Sequence, residues 1–188
     1  MFEKRVAVLS KIDWAEAESV FYELMSAGWA SGEKALIGRY PGHKQMQHVK
    51  APYKIIDMWT KTPGSVYSGG YTVLLYDCMY GDAERIENDY QPIWTMQYGG
   101  PYSKPAAEFV KAVLAESYRD PTKYGFCGCR GPQCIGSGGF EYRNRFAPHS
   151  SFLQFSGMEI VMNTHQDEQV GHHEYMGRAH VTPTTGFK

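Results

Sequence analysis

The stretch QPIWTMQYGG at residues 91–100 decides the architecture. In an extended chain Trp94, Met96 and Tyr98 share one face, while Ile93, Thr95 and Gln97 share the other. A glycine pair ends the run. SSFLQFSGMEIV at 150–161 and GHHEYMGR at 171–178 are likewise strand-like segments broken or ended by glycine. Working outward, 34–40, 53–60, 70–80, 84–87, 140–146, 151–162 and 169–176 also read as strands. Asn88-Asp89 reads as a hairpin turn, and His165 to Glu168 as a longer polar one.

Two segments carry a helical period instead. Residues 13–28 start at Asp13, a cap with Glu16 three positions on, and align Trp14, Ala17, Phe21 and Leu24 before Gly28. The second helix starts at Ser103, takes Pro105 in its first turn and aligns Ala106, Phe109, Val110, Val113 and Leu114. It must stop before Asp120-Pro121, because the residue preceding proline disfavours helical angles. The expected fold is a single α+β domain over 1–188, a curved, mostly antiparallel sheet covered by two main helices. The side opposite the helices is the default ligand site.

Composition fits this reading. Tyr 14, Phe 9 and Trp 4 suit half-buried strands better than a helical bundle. A net charge of -1 supplies no global attraction to nucleic acid or anionic membrane. No apolar run approaches the ~18 residues that cross a bilayer, and the start MFEKRVAVLSKIDW is a poor secretory signal. Four unevenly spaced cysteines point to reduced thiols in the cytoplasm. Walker, dinucleotide, nucleophile-elbow and His-Glu-x-x-His signatures are absent.

The chain resembles a bacterial and phage family of unknown function, DUF5680, also met behind Xre-type helix-turn-helix segments. The resemblance spans about 20–178. It rests on FYELMSAGWASG at 21–32, YKIIDMW at 53–59, PIWTMQYGG at 92–100, FVKAVLAESYRDP at 109–121, and the closing SFLQFSGMEIV and HHEYMGR. The sequence departs from the family pattern at Gln97, Asp120 and Met176. The cysteine- and glycine-rich segment 126–139 reads as an insertion. The regulator context of relatives implies a ligand-sensing role.

Five groups could carry chemistry. Arg143 and Arg145 share a face of FEYRNRF at 140–146, a spacing that suits phosphate or carboxylate, with Arg119 and Arg130 as contributors. Trp94 and Tyr98 offer a stacking platform, or pack in the core and leave Thr95 and Gln97 on the ligand side. Glu159 is an acid inside a strand, fit either to act as a catalytic acid or to pin an arginine; Glu84 is a second. His172 and Glu174 alternate onto one face with Arg178, and His173 with Tyr175 onto the other. In the 126–139 loop, Cys127, Cys129 and Cys134 could hold a structural zinc with Cys78 or His149; free thiols without any cofactor are the competing reading.

The leading expectation is a non-enzymatic domain that binds a planar or anionic, nucleotide-derived molecule. As a phage-encoded antagonist it would sequester a host-defence signal. Alternatives are a small hydrolase or lyase using Glu159 with a C-terminal histidine, and a module that inhibits a host protein. A homo-oligomer is compatible with the sequence.

Overall fold

The computed structural model describes residues 2–28, 31–32, 34–37, 42–61, 64–83 and 87–181. Among the described residues nine strands form one open sheet: β1 (Leu36–Ile37), β2 (His43–Lys50), β3 (Tyr53–Lys61), β4 (Tyr67–Asp77), β5 (Tyr90–Pro101), β6 (Cys134–Ser137), β7 (Phe140–Phe146), β8 (Gln154–Asn163) and β9 (Glu168–Ala179). Their order is β1-β2-β3-β4-β5-β9-β8-β7-β6, and every pairing is antiparallel. Two meanders therefore meet at β5 and β9, in a register from Trp94 opposite Ala179 to Gly99 opposite Glu174.

The helices are α1 (Phe2–Leu9), α2 (Trp14–Ser26) and α3 (Lys104–Arg119). Asp13 caps α2, its Oδ1 accepting from the Ala15 and Glu16 amides at 2.9 and 3.2 Å. Ser103 caps α3 through the Ala106 amide, and the helix ends at Arg119, ahead of Asp120-Pro121. α2 packs on α3, β2 and β3, and α3 packs on β7 and β9. Both helices lie over the face that carries Trp94, Met96 and Tyr98. Trp94 is wholly buried, with its ring 4.8 Å from Phe21 and stacked 5.0 Å from Phe152. Its Nε1 donates to the Phe152 carbonyl at 2.7 Å. The opposite face exposes Gln97, Glu174, Met176 and Arg178.

The fold is thus a sheet-rich, antiparallel α+β architecture, with differences in detail. β2 was not expected: HKQMQHVK buries only Met46, so its alternation is weak. β6 lies inside the segment read as an inserted loop. α1 is a helix beyond the two expected. Of the strand expected at 34–40, residues 34–37 are described and only Leu36–Ile37 are strand, as β1; residues 84–86 of another, including Glu84, lie outside the described residues. Asn88-Asp89 is not a tight turn by itself. Residues 78–89 connect β4 to β5, and the Asp77 carboxylate closes the connection by accepting the Met79 and Asp89 amides at 3.0 and 3.1 Å. The 165–168 turn does link β8 to β9; Asn163 Oδ1 accepts the His165 amide at 3.0 Å.

Candidate functional site

The helix-covered face holds a polar cluster. Alternation along β3, which buries Tyr53 and Ile55, carries Asp57 to the same side. Likewise β7 delivers Tyr142 and Asn144, β8 delivers Glu159, and β9 delivers His173 and Tyr175. The 127–131 segment crosses above them. Asn144 Nδ2 donates to the Cys127 and Gly131 carbonyls at 2.9 and 2.8 Å, and the Tyr118 hydroxyl to the Cys129 carbonyl at 3.2 Å. At Gly128 a Cβ would lie 2.7 Å from the Tyr175 hydroxyl, so only glycine lets the loop sit this low. Held from both sides, the loop turns Arg130 inward.

Arg130 donates through Nε to Glu159 Oε2 at 3.2 Å and through Nη2 to Oε1. Glu159 also accepts the Tyr102 and Tyr142 hydroxyls at 2.7 and 2.6 Å. Burial alone would push this carboxyl up; the Arg130 guanidinium and the hydroxyl bonds outweigh it and hold it below the usual carboxylate range. Asp57 behaves oppositely. Burial raises it, although Thr72 and Tyr98 donate to its Oδ1 at 2.8 and 3.0 Å and Arg130 adds a favourable charge. His173 is lowered to about 4 by burial, against the pull of Glu159, so it is neutral near pH 7. Its Nε2 lies 3.4 Å from Ser68 Oγ. Its Nδ1 has no hydrogen-bond partner, Glu159 Oε1 being 3.6 Å away.

Part of this cluster, not including Glu159, borders a cavity of about 70 Å³. Trp59, Tyr98, Tyr102, Tyr118 and His173 supply ring walls, and Asp57, Ser68 and Arg130 supply polar atoms. Met25 of α2 and Ala107, Val110 and Leu114 of α3 close the helical side. The His173 ring lies between Tyr102, at 4.1 Å, and Tyr98, at 6.0 Å. The Arg130 guanidinium sits over the Tyr98 ring at 5.2 Å.

Of the residues singled out in the sequence, Tyr98, Glu159, Arg130 and His173 meet here. The others do not. Trp94 is core. Gln97, His172 and Glu174 face the uncovered side. Arg143 pairs with Glu141 on that exposed face, and Arg145 is exposed there too, so neither guanidinium reaches the cavity. His180 meets the Thr95 hydroxyl at 3.0 Å, outside the cluster. The cysteines are not gathered: Cys129 is wholly buried, Cys127 contacts the Tyr124 carbonyl at 3.5 Å, and Cys134 is exposed on β6. Among the described residues no group of three or more His, Cys, Asp or Glu is arranged to hold a metal ion.

Sequence reasoning missed Asp57, Tyr102, Tyr118 and Tyr142, and read His173 only as one of the C-terminal histidines, on a face with Tyr175. One signal was available for Asp57: an acid on the apolar side of a strand otherwise built from Tyr53 and Ile55.

Comparison with known proteins gives one match, to the family described as Domain of unknown function (DUF5680), over residues 77–179. No curated protein and no solved structure matches the chain. The matched segment contributes Tyr98, Tyr102, Tyr118, Arg130, Glu159 and His173; Asp57 and Ser68 come from the strands before it. Among the described residues no helix is long and apolar enough to cross a membrane.

Proposed function

The chain belongs to the DUF5680 family, and from its buried cluster we propose that it is a non-enzymatic, single-domain cytoplasmic module that binds a small planar molecule. One observation carries this reading: the His173 ring, whose Nδ1 is buried without a hydrogen-bond partner, forms part of the wall of a ring-lined cavity. An unpaired buried polar atom costs about 1–3 kcal/mol, which a guest with a polar edge would recover. Flat walls favour a flat guest. About 70 Å³ is roughly half of the ~150 Å³ that admits benzene, so the cavity takes one small planar group, free or at the tip of a larger molecule.

Binding is better supported than catalysis by Glu159. That carboxylate is inaccessible, already accepts from three side chains and is held ionised, so it is a poor general acid. The anionic guest expected from Arg143 and Arg145 loses its support, because both lie on the other face. With chemistry disfavoured, sequestration of a small signal is the role we carry forward.

Native mass spectrometry of the purified chain tests this, together with a thermal-shift panel of small planar compounds. The expected result is a retained mass lost on denaturation, or a compound whose stabilisation disappears in His173→Phe. A clean apo mass with no compound active would overturn the reading.

A further inference from the structure

The cavity's hydrogen-bond inventory selects its guest. The three tyrosine hydroxyls are committed donors: Tyr98 to Asp57, Tyr102 to Glu159 and Tyr118 to the Cys129 carbonyl. Burial pushes all three well above the ordinary tyrosine range, so they stay protonated. Arg130 spends Nε and Nη2 on Glu159, leaving Nη1 outside that pair. Arg130 Nη1 and the Ser68 hydroxyl remain as donors, and the Asp57 carboxylate remains as an acceptor. Both hydroxyls on Asp57 go to Oδ1, which leaves Oδ2 uncommitted to them. His173 Nδ1 faces the Glu159 carboxylate, Oε1 lying 3.6 Å away, so the neutral ring keeps its proton there and Nε2 accepts from Ser68.

Charge points the same way. Facing Asp57 are Thr72 from β4, Tyr98 from β5 and Arg130 from the loop. Across the cluster stand Tyr102, Tyr118, Glu159 and His173, while Met46 of β2 and Met25 of α2 bring no charge. Two carboxyls thus oppose one guanidinium. With both ionised, the cluster lacks one positive charge, and an anion would deepen the imbalance.

Resting on the binding reading above, we propose that the cavity receives a guanidinium or amidinium group, donating to Asp57 Oδ2 with its plane along the Tyr98–His173–Tyr102 rings. Arg130 already lies over Tyr98, so this ring row accommodates such a plane. The cavity's small volume suits a group of this size better than a nucleobase. Because Asp57 must be ionised to pair with the cation, burial of its carboxyl makes binding pH-dependent.

The test uses isotope-labelled full-length protein and three planar probes at matched ionic strength: methylguanidinium, its neutral isostere methylurea, and nitrate. Spectra are followed from about pH 5 to about pH 8. Methylguanidinium is expected to perturb signals around Asp57, Tyr98 and His173, about tenfold more tightly than methylurea. Its affinity should rise by up to about tenfold per pH unit while Asp57 titrates. Folded Asp57→Asn should lose the preference for methylguanidinium; wild-type mapping stands independently of that variant. N-acetylarginine amide separates the sources: equal or tighter binding at these residues assigns the group to a peptide arginine, and exclusion assigns it to a free small molecule. Tighter nitrate binding that strengthens as pH falls would overturn the proposal in favour of an anion on Arg130 and protonated His173. Equal binding of methylurea would overturn the charge requirement. Both results would leave the binding module standing; silence from every probe at these residues would remove it as well.

Discussion

Glu159 Oε2 accepts the Arg130 Nε–H at 3.2 Å across 29 residues of chain, with side-chain exposures of 0% and 5%. A pair so deeply buried is not primarily a stability device, since desolvation offsets much of its attraction. It fixes where the 127–131 loop lies and which side chains border the cavity.

Breaking the pair should therefore cost more than removing it. Arg130→Met strands the Glu159 charge and is expected to lower stability by about 3–5 kcal/mol in urea unfolding. Adding Glu159→Gln, which removes the charge and whose one carbonyl oxygen still accepts from Tyr102 or Tyr142, should recover part of that loss. A double variant no better than Arg130→Met would contradict the pairing argument. Because Glu159 is held below its usual range, its contribution is complete above about pH 4.3 and is lost as pH falls further through the folded value.

Asp57 has the opposite sign. Its raised folded value means that stability is fully present below the unfolded value of about 3.9 and is lost as pH rises through the folded one. Asp57→Asn keeps an oxygen for Thr72 and Tyr98 while removing the buried charge. Its urea midpoint should exceed that of the wild type at neutral pH, with the gap closing towards pH ~4.

His173 makes acid costly. A folded value of about 4 against about 6.5 unfolded means that the unfolded chain takes up the proton first as pH falls. Stability should drop by roughly 3 kcal/mol from this group between pH ~6.5 and ~4. His173→Phe should flatten that interval; an unchanged slope would place the titration elsewhere.

At Gly171 a Cβ would lie 2.2 Å from Tyr102 Cδ1, with the Pro101 carbonyl at 3.1 Å. Gly171→Ala must displace the ring that bonds Glu159. A loss of about 1–3 kcal/mol in thermal or urea unfolding is expected, with weaker binding of whatever the cavity holds.

Arg143→Ala and Arg145→Ala should each change stability by no more than about 0.5 kcal/mol and leave cavity binding untouched. A large binding defect in either would move the site to the uncovered face.

Much of the architecture was legible because its signals are local. Asp13 and Ser103 cap the helices that their apolar stripes indicate, and Phe140 to Phe146 reads as a strand over the residues that form β7. The failures share a cause. His43 to Lys50 becomes β2 because it pairs with β3 through its backbone, and backbone pairing leaves little trace in side-chain polarity. Cys134 to Ser137 is drawn into a strand by β7 in the same way.

Period-two alternation by itself determined which side chains travel together: His173 with Tyr175, Arg143 with Arg145, Trp94 with Tyr98. It could not say which side the helices cover, because that depends on how two meanders join at β5 and β9. Tertiary structure alone decided that Arg143 and Arg145 face outward and that Arg130, in a segment that read as an insertion, turns inward onto Glu159. A buried charge settles where a partner of opposite sign and enough hydroxyl donors converge, and here they arrive from the β5–α3 junction, β7 and a loop far apart in the chain.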